Sequence, residues 1–332
     1  MPRPPRSDAT AYVVALARRI LGSPAVRWVF VVGVVVGGAS YLRGLEGLPH
    51  ALRQLGVVPL AEGLLAVLVG LVTSMLVWRT LLADLGSPLP VGSAARIFFV
   101  SQLGKYIPGS LWPLLAQMEM GREAGVPRQR SAAAITLTML IYLGTGLLLG
   151  GVAMPFASAQ AAPYRWVVAL APLLLALLHP RLLNPIIARL TTLARRPAPE
   201  RELSGRGVLG AFGWSVASWV ALGVQVQALV TALGAPVGHA LPLAVGGFAL
   251  AWSAGFLVVI APAGLGAREA VLVALLAPVL NRPSAIAVSL AARLLMTAGD
   301  VVLAGAAVVA WRVDRRRRSD VVAQQPVAPP VR

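Results

Sequence analysis

The sequence predicts an all-α, polytopic transmembrane helix bundle of about eight spans, with a re-entrant or broken helix in each half. Three observations carry that prediction. Of 332 residues, 58% are apolar and 12% are charged, whereas a soluble globular chain has about 45–50% apolar and about 25% charged residues. The apolar residues come in blocks of about 18 or more, the length that crosses about 30 Å of hydrocarbon as a helix. The basic residues lie between these blocks, and they do so one-sidedly.

Residues 1–26 form a basic, proline-containing segment, of which 11–20 could lie as an interfacial helix. The first span is expected at 27–42. Its basic flank and the small residues Gly38, Ala39 and Ser40 also resemble a signal peptide, but the number of spans that follow favours an uncleaved helix. The second span is expected at 57–82. Residues 92–125 are apolar yet interrupted at Pro108-Gly109 and again at Pro113. Each part is too short to cross alone, so a re-entrant hairpin fits better than one broken span.

Further spans are expected at 131–154 and 164–179, followed by an amphipathic stretch at 182–193. The polar linker 195–207 (RRPAPERELSGRG) divides the membrane domain 27–312 into halves 27–194 and 208–312. The second half reads as spans at 208–233 and 241–260, a Gly/Pro interruption at 262–266, a short helix at 267–280, and a last span at 284–311. A basic, disordered tail, 313–332, follows.

With the N-terminus inside, the cytoplasmic segments hold 24 of the 29 basic residues and the outside loops three. Both termini are therefore expected to be cytoplasmic, at a plasma or inner membrane, and the helix after Gly266 must cross or nearly cross. The aromatic residues Trp28, Trp78, Trp112, Trp166 and Trp311 fall near expected span ends, as an interfacial belt would.

The net charge of +17 forms no continuous face on a folded domain, so nucleic acid is not an expected partner. No cysteine is present, which removes disulfides, thiol nucleophiles and cysteine-ligated metals. His50, His179 and His239 are scattered. No nucleotide, dinucleotide, zinc-hydrolase or serine-hydrolase motif is visible, and neither a cofactor, a metal nor a catalytic residue is expected.

Each half contains one interrupted hydrophobic segment rich in glycine and proline. The first reads LGKYIPGSLW over 103–112, with Lys105, Tyr106, Pro108 and Gly109; the second reads APAGLGAREA over 261–270, with Pro262, Gly264, Gly266, Arg268 and Glu269. Paired interruptions in two halves point to a transporter's binding site. Broken helices expose backbone N–H groups, and with Lys105 or Arg268 beside them they form the kind of site that holds phosphate. Lys105 is the only lysine among 28 arginines, which suggests a need for a compact, flexible ammonium. The alternatives are a simple kink, with both cations snorkelling to headgroups.

Arg293 and Asp300 lie two turns apart on one face of the last span. Charges at that depth normally face protein or water. They belong either to a headgroup or proton pathway shared with Arg268 and Glu269, or to a structural ion pair. Glu269 could equally cap its own helix. Gln225, Gln227, Thr136 and Thr138 are expected to make hydrogen bonds between helices.

At these two motifs, followed by Ala292-Arg293-Leu294-Leu295, the sequence resembles the lysylphosphatidylglycerol synthase transmembrane-region family, which is also described as flippase-like. The resemblance covers roughly residues 25–312. It implies an eight-span bundle with re-entrant elements that moves an anionic or aminoacylated phospholipid, or a lipid-linked precursor, between leaflets. The family's residues map onto Lys105, Pro108, Gly109, Pro262, Gly264, Gly266, Arg268 and Glu269, with Arg293 beside them. The aminoacyl-transfer domain of two-domain members is not in this sequence, so synthesis of lysylphosphatidylglycerol is not expected. The expected partner is a membrane phospholipid or lipid-linked substrate held by its headgroup phosphate; oligomerisation is left open. Two rival functions remain: a non-transporting scaffold for an envelope lipid enzyme, and a membrane transferase acting on lipid-linked substrates.

Overall fold

A computed structural model describes residues 46–106, 112–157, 168–171, 173, 176, 178–193, 202–257 and 266–323. All regular structure among them is helical. In chain order the α-helices are α1 (Leu48–Gln54), α2 (Val57–Asp84), α3 (Val91–Gln102), α4 (Trp112–Glu123), α5 (Arg128–Ala153), α6 (Pro180–Leu193), α7 (Gly205–Ala232), α8 (Val237–Leu257), α9 (Ala267–Leu276) and α10 (Arg282–Ala323). Short 3-10 turns at Leu103–Tyr106 and Met154–Phe156 extend α3 and α5.

Five of these helices are long and apolar enough to cross a membrane: Val57–Asp84, Arg128–Phe156, Gly205–Ala232, Ala240–Leu257 and Arg282–Arg315. They match five of the expected spans. The N-terminal helix at 11–20, the first span at 27–42 and most of the expected span at 164–179 lie outside the described residues, as do Pro108, Gly109, Pro262 and Gly264.

The centre of the bundle is the antiparallel pair α2–α7. Small residues let the two backbones approach: a Cβ on Gly70 would stand 2.7 Å from Leu222 and 3.4 Å from the Ser218 carbonyl oxygen. Across that seam the Ser218 hydroxyl donates to the Gly70 carbonyl at 2.6 Å and is also hydrogen-bonded to Tyr142 of α5. Thr145 of α5 bonds Ser215 of α7 at 2.6 Å and accepts from the Trp219 indole at 3.0 Å. Membrane helices associate through close backbones and such shared hydroxyls, because lipid supplies no hydrophobic drive between them. On the other side of α7, a Cβ on Gly223 would stand 2.3 Å from Val245 of α8.

The ends of the helices fix the threading. Asp84, at the end of α2, accepts from the backbone N–H and the hydroxyl of Ser204, both at 2.7 Å. Ser204 in turn accepts from the Gly207 N–H at 3.0 Å. The start of α7 thus has a hydroxyl cap and a carboxylate in its positive field. Arg130, at the start of α5, donates to the Gly86 carbonyl at 3.0 Å, so the same end of the bundle holds the end of α2 and the starts of α5 and α7. Arg79, Arg96, Arg122, Arg128, Arg206, Arg312 and Arg315 gather there, against Arg53 and Arg282 at the opposite end.

The structure departs from the sequence expectations at several places. Helix α7 begins at Gly205, inside the expected linker, because Ser204 and Asp84 cap it there. Helix α10 runs on to Ala323, well past Trp311, since arginine is a good helix former and needs no burial to continue a helix. Trp78 is 0% exposed, packed 6.0 Å from Phe98; it fills the core and is no interfacial anchor. Thr136 and Thr138 bond carbonyls of their own helix, Ala132 at 3.0 Å and Ala134 at 2.7 Å, whereas Gln225 does cross between helices, donating to the Ala292 carbonyl at 2.8 Å.

Candidate functional site

The interrupted segment of the first half folds back on itself. Helix α3 leaves the basic end beside Gly86 and Ser87, which Arg130 bonds. Helix α4 returns to the same place, where a Cβ on Gly121 would meet the Ser131 hydroxyl at 2.7 Å and where Arg128 pairs with Glu119 at 2.6 Å. At the far end of this hairpin the two arms touch: a Cβ on Gly104 would lie 3.0 Å from the Pro113 nitrogen. The segment therefore enters and leaves on one side of the bundle, as a re-entrant hairpin does. Trp112 sits at its tip, 51% exposed, and not at a span end.

The 3-10 turn Leu103–Tyr106, at the far end of α3, reaches the middle of the bundle. It docks on α10 next to Gly299, where a Cβ would meet Val67 at 2.5 Å and Leu71 at 3.1 Å, two residues in the middle of α2. Here the Lys105 ammonium lies 2.6 Å from Asp300 Oδ2, and the Tyr106 hydroxyl donates to the same oxygen at 2.6 Å. Asp300 is 1% exposed and Lys105 27%, so the carboxylate is closed off while the ammonium is reachable. Helix α3 runs antiparallel to α10, and nearer the basic end Arg96 lies over the Trp311 ring at 4.4 Å.

The second interruption is built differently. Gly266 has φ 88°, a conformation that glycine adopts without the clash of a side chain, and it opens α9. Helix α9 runs back along α8: a Cβ on Gly255 would stand 3.0 Å from the Arg268 Cβ. Glu269 accepts from the Gly266 N–H through Oε2 at 2.7 Å and is ion-paired through Oε1 with Arg293 of α10. Glu269 thus does both things the sequence allowed: it caps its helix and joins the charged set. The Arg268 guanidinium lies over the Phe248 ring of α8 at 4.5 Å, a cation–π contact. Phe248 carries no sequence signal, being one apolar residue in an apolar helix.

Lys105, Tyr106, Gly266, Arg268, Glu269, Arg293 and Asp300 are therefore brought together. Arg268 interacts electrostatically with Glu269, Arg293, Tyr106 and Asp300. Two of the three cations have carboxylate partners; among the described residues, none is bonded to Arg268. Such a set can hold a negatively charged group in a water-poor place, because cations and N–H donors replace its hydration. Among the described residues no group of three or more His, Cys, Asp or Glu side chains could hold a metal ion.

The family model described as lysylphosphatidylglycerol synthase TM region matches residues 25–305. No curated protein matches the sequence significantly.

Proposed function

The chain belongs to the lysylphosphatidylglycerol synthase transmembrane-region family, and from that premise we propose that this multi-pass membrane protein is a lipid translocase. It carries a phospholipid or lipid-linked molecule between leaflets, with the headgroup phosphate passing the mid-depth charged set and the acyl chains staying in lipid. One observation supports this above others: both interrupted segments deliver charged side chains to the same two-turn stretch of α10, halfway through the bundle. A charge at mid-bilayer costs on the order of 3 kcal/mol by insertion scales, and charges kept there pair with one another and mark substrate or ion pathways. The basic end faces the cytoplasm of a plasma or inner membrane by the positive-inside rule, and the protein performs no covalent chemistry.

The test is reconstitution in liposomes with fluorescent phospholipids and a leaflet-selective quencher. Wild type accelerates exchange between leaflets. Arg268→Ala abolishes the acceleration and leaves the thermal midpoint in detergent within a few degrees, because no carboxylate is stranded by the change. Lys105→Ala is paired with Asp300→Asn for the same reason, and the double variant is also inactive. Unchanged exchange in both variants, or no acceleration by wild type, removes the translocase.

A further inference from the structure

Asp300 is the one buried charged residue among the described residues. Its side chain is 1% exposed, and the Lys105 ammonium and the Tyr106 hydroxyl both meet it at Oδ2, each at 2.6 Å. Beside it, at Gly299, α2 presents the apolar Val67 and Leu71. Arg293 lies two turns away on α10, paired with Glu269 of α9, and Arg268 of α9 also acts on Asp300. Arg96, the cation of α3, lies off toward the basic end over Trp311. Glu269 is placed differently: it is about one-fifth exposed, and the Gly266 N–H bonds it as well.

For Lys105 to hold an anion, its ammonium must leave Asp300. It sits on a flexible stem and is 27% exposed, so it is free to turn. The carboxylate then keeps, among the described residues, only the Tyr106 hydroxyl. A buried carboxylate without its cation is costly, and it neutralises by taking a proton. Resting on the translocase reading above, we infer that Asp300 couples transport to protons: each anionic group taken by Lys105 travels with one proton on Asp300, and a proton gradient drives the movement. Intramembrane carboxylates serve such relays in pumps and transporters. Tyr106 is the route. Its side chain is 41% exposed, and its hydroxyl passes a proton to Oδ2 while taking one from water. On release the proton returns through Tyr106 to water on the other side, and Lys105 pairs with the carboxylate again. The proton's charge balances the anion's throughout.

The experiment uses the full chain in phosphatidylcholine vesicles carrying a trace of fluorescent phosphatidylglycerol, with the interior one pH unit above the exterior. Protein-free vesicles under the same gradient set the baseline. Probe and proton moving together collect the probe in the inner leaflet. One pH unit is a tenfold ratio of protons, so the inner-to-outer ratio of the probe approaches about ten. That ratio is an equilibrium property and does not depend on which way round the protein inserts. A protonophore returns it to one. Asp300→Asn, which resembles the protonated acid, exchanges the probe to a ratio of one under the same gradient. Tyr106→Phe leaves the ion pair in place and reaches the wild-type ratio at least about tenfold more slowly. Rapid exchange by wild type to a ratio of one overturns the coupling and leaves the translocase standing. A ratio of about ten retained in Asp300→Asn overturns the assignment to this carboxylate. If Asp300→Asn does not fold, an unchanged rate in Tyr106→Phe overturns the relay. No acceleration by wild type removes both readings.

Discussion

The two interruptions are alike in composition and opposite in polarity. The hairpin brings a cation, Lys105, to a carboxylate on α10, Asp300. The start of α9 brings a carboxylate, Glu269, to a cation on α10, Arg293. Helix α10 carries one charge of each sign, two turns apart, and each incoming element fits only one of them. A slip of either element by two turns would set Lys105 against Arg293 or Glu269 against Asp300, and like charges in contact are costly. The polarity therefore fixes the depth of both elements, which glycine- and proline-rich segments could not fix by packing alone.

The interruptions also differ in how far their pairs are sealed, and removing each anchor should show it. Asp300→Ala has the largest effect. It strands the Lys105 ammonium and the Tyr106 hydroxyl at mid-depth, and breaking a buried pair costs about 3–5 kcal/mol, with Lys105's partial exposure favouring the lower end. A large fall in thermal midpoint is expected, and the exchanged pair Lys105→Asp with Asp300→Lys recovers most of it. No recovery would mean that the acid serves something other than its pairing. Glu269→Ala is milder, about 2 kcal/mol for a lost cap and a lost charged hydrogen bond, because its pair is about one-fifth exposed. Equal losses at the two sites would erase the distinction between them.

The smallest effect belongs to the surface reference, Glu119 at the foot of the hairpin. Hydrogen bonds from Arg122 and then Arg128 hold its carboxyl down, from 4.5 to about 2. A depressed carboxylate stabilises the fold above its unfolded pKa and loses that contribution as pH falls toward its folded pKa. The difference in thermal midpoint between wild type and Glu119→Gln should therefore be small and constant above about pH 5, and should shrink as pH falls, vanishing only below about pH 2. A difference that persists in acid would show that Glu119 acts through packing and not through its charge.

Long, uniform elements were legible in the sequence. Helices α2, α5, α7, α8 and α10 each announce themselves by an apolar run of spanning length, and the hairpin by the fact that its arms are too short to cross. The partners of the charged residues were not legible. Tyr106 and Asp300 stand 194 residues apart, and nothing local to LGKYIPGSLW says which helix will receive it. The phosphate site expected from Lys105 and Arg268 alone changes character once Lys105 is seen to be held by Asp300, which leaves Arg268 as the cation with no carboxylate bonded to it among the described residues. Trp78 misled for a related reason: an interfacial anchor and a core tryptophan near a helix end have the same sequence context, and only the neighbour Phe98 separates them.

Helix α10 is also unbroken from Arg282 to Ala323. At about 1.5 Å per residue, Asp300 stands about 35 Å from Ala323, where the helix ends beyond the basic side of the bundle. A tilt of about 5° about Asp300 would sweep that end sideways by about 3 Å, and a sideways pull there would return to the centre as torque. The run of arginines at 315–318 and the two ion pairs thus belong to one continuous helix, so whatever holds its far end is joined without a break to the charged set.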